Sequence, residues 1–162
     1  MPNEKGTSSG IFDRSTLGQK TGIVRVPIER GRIRFFAKTI GETSPIHSDI
    51  EVARRAGYPD IVAPLTYPMV IWMEANEALS DRGEKPAFIL INSDFRRLLH
   101  GSERYDYSGL IFAGDVVDVT TEVMGFETKS SGRMELAHLK TEITHPERGV
   151  LVSAHATAIH RL

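Results

Sequence analysis

Residues 65–79 read LTYPMVIWMEANEAL, and how this stretch folds decides the architecture. Its only charges are Glu74 and Glu77, so a helix here is apolar around most of its circumference and belongs inside a protein. Pro68 is unfit for a helix interior but tolerated in a first turn, where backbone N–H groups lack intrahelical partners in any case. The helix is therefore expected to start near residues 64–67, with Trp72 and Met73 as core packing first and as the wall of a ligand tunnel second.

Upstream, GIVRVP is a short β-branched run ended by Pro27. Ile33, Phe36, Ala37 and Ile40 then follow at helical spacing up to Gly41, a strand followed by a helix. Asp49 is a plausible N-cap for a short helix stopped by Gly57, with Val52, Ala53 and Ala56 inward. Downstream, from about residue 87, the period becomes alternating, and four runs read as strands: 87–107, 114–123, 134–145 and 149–159. Turn chemistry separates them, with gaps short enough for an antiparallel meander. One apolar helix and a long antiparallel sheet give an α+β layer fold, the sheet wrapped around the helix.

The chain has 162 residues, enough for one domain with a full core. Lys and Arg number 20 against 21 Asp and Glu, so no basic excess exists to neutralise phosphates, and nucleic acid or an anionic membrane is not the expected partner. The absence of cysteine removes disulfides, thiolate nucleophiles and cysteine zinc sites together, and suits a reducing cytoplasm. No run approaches a membrane span. Residues 1–20, rich in Ser, Gly, Thr and Lys, are expected to form a loose tail before a single domain at 21–162.

The candidate chemistry lies in GETSPIHSD, residues 41–49. Pro45 blocks a continuous helix and biases Ser44 to an extended conformation, so Glu42 and His47 converge only if the loop curls. A carboxylate and an imidazole facing one point are the pair that acid–base chemistry on a bound water requires. The spacing alone does not separate such a pair from two solvated loop residues. Elsewhere, His155 and His160 fall on opposite faces of one strand and cannot share a metal. His138 and His145 read as hydrogen-bonded structural residues. No metal site is expected.

The stretch FAKTIGETSPIHSDIEVARRAGYPDIVAPLTYPMV, followed by LLHGSERYDYSGLIFAGDVVDV, resembles the MaoC-like dehydratases, which include the (R)-specific enoyl-CoA hydratases of the hotdog fold. The likeness spans roughly residues 22–160 and is closest to the N-terminal "Ala-Pro" branch, through IVAPLTY, LLHGSERYDY and AGD. The resemblance implies a single hotdog domain. It also implies His47 as the catalytic histidine and Glu42 in place of the family's catalytic aspartate, with Ser44 replacing an asparagine. Where related hydratases carry His-Gly, this chain has Pro64-Leu65, so the backbone N–H of Leu65, with Thr66 second, is the expected oxyanion donor. Ser44, Pro64 and His100 are expected to line the substrate site. Arg96 and Arg97, with Arg104, are candidates for coenzyme A phosphates.

The implied reaction interconverts a trans-2-enoyl-CoA and an (R)-3-hydroxyacyl-CoA without a cofactor. A homodimer is implied, with the acyl-CoA tunnel near its interface. Two alternatives accompany this reading. One is a non-catalytic acyl-CoA-binding subunit of a heteromer with a related hydratase chain. The other is a hotdog thioesterase, which needs an acidic residue near the start of the central helix, whereas Glu74 lies well inside it.

Overall fold

The computed structural model describes residues 10–162. Five strands form one antiparallel sheet: β1 Val24–Pro27, β2 Leu98–Tyr107, β3 Val116–Lys129, β4 Met134–His145 and β5 Gly149–Arg161. Four helices accompany it: α1 Arg30–Thr39, α2 Ile50–Arg55, α3 Pro68–Asp81 and α4 Ala87–Leu90. The α+β reading holds, and the apolar segment forms the long helix α3 across one face of the sheet.

The strand order is β1-β3-β4-β5-β2, which corrects the meander. Strands β3, β4 and β5 are joined by hairpins, whose turns place Gly132 at φ 89° and Gly149 at φ 74°, a region that glycine enters without steric cost. Strand β2 pairs with β5 rather than with β3, Leu98 opposite His160 through Tyr107 opposite Val152. Its connection to β3 therefore crosses to the far side of the sheet. Residues 87–90 form a helical turn, so β2 begins at Leu98, well after residue 87.

Helix α3 starts at Pro68, with Tyr67 at its N-cap. The residues before it form a turn, in which Tyr67 N–H donates to Pro64 O at 2.8 Å. It buries Ile71, Ala75 and Leu79, spaced by whole turns, against Val24, Val26, Val117 and Ile143. Trp72 is half-buried and Met73 is 59% exposed. The expectation of a helix enclosed on all sides is thus corrected for the single chain, where the sheet covers one face only. In α2, Ala53 is buried, Val52 half-buried and Ala56 exposed, because a helix of under two turns can turn only one position fully inward.

The expected loose tail is corrected for residues 10–20. Phe12 and Thr16 are buried. Glu135 on β4, fully buried, accepts the N–H groups of Ile11 at 2.7 Å and Phe12 at 3.1 Å, and the Phe12 ring stacks on His160 at 3.9 Å. Nothing in the composition of this segment signals that a carboxylate more than a hundred residues away will hold it. Residues 1–9 lie outside the described residues.

Candidate active site

Helix α1 delivers the first half of the site. It ends at Gly41, φ 73°, where Gly41 N–H donates to Lys38 O and Glu42 N–H to Ala37 O, the paired bonds that satisfy the last carbonyls of a helix closed by a left-handed residue. Glu42 thereby leaves the helix in a fixed direction. Ser44 is extended, at φ −64° and ψ 124°, as the following proline demands. Residues Pro45–His47 make one tight turn. Asp49 then caps α2 by accepting from Glu51 N–H at 2.9 Å and Val52 N–H at 3.2 Å, which settles its role as a cap.

The second half is the segment of residues 60–63. Val62 N–H donates to Ile46 O at 3.0 Å, and Ala63 N–H to Ile111 O at 2.9 Å. The segment is therefore held between the His47 turn and residues 111–113. Arg30 forks onto Asp60, at 3.0 and 2.6 Å, and ties α1 to the same segment. The two stretches that carry the family resemblance, distant in sequence, meet here.

His47 is buried, and its Nδ1 lies 2.7 Å from Val62 O. A carbonyl only accepts, so Nδ1 carries the proton and donates it. In the neutral ring Nε2 is then a bare acceptor. That Nε2 faces Glu42 Oε2 at 4.0 Å. The other carboxylate oxygen, Oε1, accepts Ser44 N–H at 3.0 Å, which fixes the rotation of the group. This hydrogen bond first, and the neighbouring His47 after it, hold the Glu42 carboxyl below its usual range against the opposing effect of desolvation. A water at an ordinary distance of about 2.8 Å from both atoms spans the gap and can donate one O–H to each.

Glu42, Ser44 and His47 share a cavity of about 330 Å³ with Arg34 and Lys38 of α1. The sequence reasoning missed these two cations. Their one-turn spacing on the polar face of α1, ending at Gly41, is the signal that could have found them. Arg34 Nε donates to Ser48 O at 2.8 Å.

The other expected residues are distributed more widely. Leu65 and Thr66 are exposed, and neither N–H has a hydrogen-bond partner among the described residues. Leu65 O accepts the Tyr107 hydroxyl at 2.9 Å. Pro64 is buried. Arg96 forks onto Asp94 at 3.0 Å through both nitrogens, Arg97 approaches the same carboxylate at 3.9 Å, and neither lines the Glu42–His47 cavity. Arg104 pairs with Asp106 at 2.9 Å. His100 lies on β2 and lines a different cavity. Glu74 pairs with Arg32 across α1 and α3. His138 bonds Thr157 and Glu127, and His145 accepts from Glu147 and Arg148 N–H, both structural arrangements. Among the described residues no three His, Asp or Glu side chains gather as a metal site, and no helix is long and apolar enough to cross a membrane.

Residues 15–154 match the family described as "FAS1-like, dehydratase domain region". A UPF0336 protein of Thermobifida fusca is 38% identical over 117 residues, 72% of this chain and 71% of its own. The Streptomyces coelicolor UPF0336 protein SCO4636 is 30% identical over 140 residues, 85% and 87% of the two chains. Among solved structures, the HadBC (3R-hydroxyacyl-ACP dehydratase) complex of Mycobacterium tuberculosis aligns at a TM-score of 0.74 with 16% identity, over 89% of this chain and 96% of that one. A MaoC-like dehydratase aligns at 0.76 with 19% identity, over 91% and 43%. At these identities the structures establish the hotdog fold, and the family match together with the close relatives places the chain in the UPF0336 group of the FAS1-like dehydratase-region family.

Proposed function

We propose that the protein interconverts a trans-2-enoyl thioester of coenzyme A and its (R)-3-hydroxyacyl counterpart. The observation that carries this reading is the pair of acceptors, Glu42 Oε2 and His47 Nε2, 4.0 Å apart with the ring locked by Val62 O. Water held by both presents its oxygen lone pair to the β-carbon. As that C–O bond forms, one water proton passes to the pair and the double-bond electrons shift toward the thioester oxygen as an enolate. A proton returned from the pair to the α-carbon completes the addition. No cofactor is required. The unpartnered N–H groups of Leu65 and Thr66 are the donors offered to the enolate oxygen, and Arg34 and Lys38 offer positive charge to the phosphates of coenzyme A.

A second reading, a binding-only subunit, draws on structural neighbours that are complexes of two chains, HadBC and ChsH1-ChsH2. A binding subunit has no need of an imidazole locked beside a carboxylate, so the catalytic reading is preferred. The thioesterase alternative has less support, because Glu74 is engaged by Arg32. Among the described residues, strand β2 has β5 on one side and no strand on the other, so a homodimer is proposed to form across this sheet edge.

The test is loss of enoyl absorbance when crotonyl-CoA is mixed with the purified protein. Binding of coenzyme A esters with no hydration at any chain length transfers the assignment to the binding subunit. Tyr107→Phe probes the donors. The peptide unit is planar and trans, so the Tyr107 bond to Leu65 O also orients Thr66 N–H. Losing a hydrogen bond worth about 1 kcal/mol is expected to lower kcat about three- to tenfold with KM nearly unchanged. An unaltered kcat removes Thr66 from the oxyanion role.

A further inference from the structure

A second cavity, of about 180 Å³, lies between α3 and the sheet, separate from the one that holds Glu42 and His47. Met69, Trp72, Phe88, Leu98 and Leu139 make most of its wall apolar, and His100 and Glu103 of β2 are set into that wall. The two cavities have no lining residue in common.

The placement of His100 and Glu103 depends on an irregularity in β2. On a regular strand, residues three apart point to opposite faces. The pairing of β2 with β5 slips between His100 and Ser102, so one extra residue is inserted and the alternation resets. His100 and Glu103 then face the same way, with His100 Nε2 3.4 Å from Glu103 Oε2. The residue at the slip must be glycine, because a Cβ on Gly101 would lie 2.7 Å from Ile159 Cδ1 and 2.9 Å from Thr157 O.

Glu103 is unusually enclosed for a carboxylate on an edge strand, its side chain only 17% exposed. Tyr105, on the same strand face, is held far above its ordinary pKa by burial first and by the Glu103 carboxylate after it. A carboxylate has about four acceptor positions, more than His100 and Tyr105 fill. What this cavity offers is an apolar hollow with an acceptor in its wall.

We infer that this cavity is a ligand subsite for an aliphatic chain carrying a hydroxyl, the chain lying under α3 and the hydroxyl donating to Glu103 beside His100. A cavity of about 150 Å³ accepts benzene, so the apolar part is about six carbons long. That this chain is the acyl group of a thioester rests on the function proposed above. On that reading, the hydroxyl recognised here is distinct from the one added at the double bond, because the Glu42–His47 pair lies in the other cavity, and the favoured substrates are hydroxylated acyl chains.

The experiment titrates the full chain with 1-hexanol and, in parallel, with 1-methoxypentane, an isomer of the same size that has no donor. Binding is followed by NMR at the Trp72 indole and the methyls of Ala154 and Ala156. Hexanol is expected to bind about tenfold or more tightly than the ether, since a hydrogen bond to a charged group is among the stronger ones. Glu103→Leu should abolish the preference and keep the ether's affinity, while Glu103→Gln, which retains an acceptor oxygen and the side-chain shape, should keep part of it. Equal affinity of the two probes for the unaltered protein overturns the inference. Binding of neither, as when another segment or a second chain fills the cavity, overturns it too. Neither probe is a thioester, so failure here leaves the crotonyl-CoA result untouched, and absence of hydration there leaves this binding result standing.

Discussion

His47→Ala is expected to lower hydration of a short enoyl-CoA by at least about a hundredfold, because acid–base groups contribute about 10²–10⁴ in rate, while binding of the thioester stays largely intact. The acceptor nitrogen of the imidazole is fixed by a bond on the opposite side of the ring, Nδ1 to Val62 O at 2.7 Å. Glu42→Gln should match it, since the amide keeps the shape but cannot take a proton. Glu42→Asp is the sharper variant. It restores the family residue and shortens the arm by one methylene, in a loop where Ser44 N–H grips one oxygen at 3.0 Å and Nε2 stands 4.0 Å from the other. A displacement of about 1 Å can cost about a hundredfold, so a loop built around glutamate loses activity on this change, and a retained or raised rate shows that the shorter arm still reaches.

The pH profile follows from the same geometry. The Glu42 carboxyl is held below its usual range and must be ionised to accept a proton. The part of the acid limb that belongs to Glu42 should therefore lie below the ordinary carboxylate region. Steady-state rates across pH for the unaltered protein and Glu42→Gln check this, and an acid limb that survives in Glu42→Gln belongs to another group.

Glu135→Ala is expected to cost about 2–5 kcal/mol, since a donor left unsatisfied in the interior costs about 1–3 kcal/mol and two N–H groups lose their acceptor. The variant would strand the N–H groups of Ile11 and Phe12, whose acceptor lies on a fully buried side chain, and would remove the carboxylate 3.9 Å from His160. A loss of about 3 kcal/mol lowers Tm by about 6–12 °C for a chain of this size. Thermal melts measure the loss, and hydrogen exchange at the Ile11 and Phe12 amides shows whether the N-terminal segment lifts before the sheet unfolds. Unchanged exchange at those two amides would mean that Phe12 packing, and not the carboxylate, holds the segment.

The cluster also sets a pH trend. His160 is fully buried, its Nε2 accepts Asp94 N–H at 3.1 Å, and burial lowers its pKa from 6.5. The unfolded chain thus binds this proton more readily than the folded one. Its contribution is full above the unfolded value of about 6.5 and is lost as pH falls towards the folded one.

Local chemistry determined a good part of this molecule. Gly41 had to end α1 because a left-handed residue closes the helix there, Ser44 had to be extended before Pro45, and Asp49 had to cap α2. Each is decided within a few residues and is visible in the chain. The periods of β3, β4 and β5 were legible for the same reason, and the family resemblance supplied the hotdog fold and the roles proposed here for Glu42 and His47, which spacing alone left open.

What needed the tertiary structure depends on partners distant in sequence. Residues 87–97 read as part of a strand because the short apolar run AFILI at 87–91 fits either a helical turn or a strand until its neighbours are known. The pairing of β2 with β5, the half-exposed face of α3 and the burial of Phe12 follow from which edge and which face remain free after the sheet is assembled. The tautomer of His47 is set by a carbonyl on the segment that Ile111 holds, and the meeting of His100 with Glu103 by a one-residue slip against β5. Sequence periodicity records which way a side chain points from its own strand; it does not record what stands opposite, and in this protein the opposite partner fixes the His47 tautomer and the shape of the second cavity.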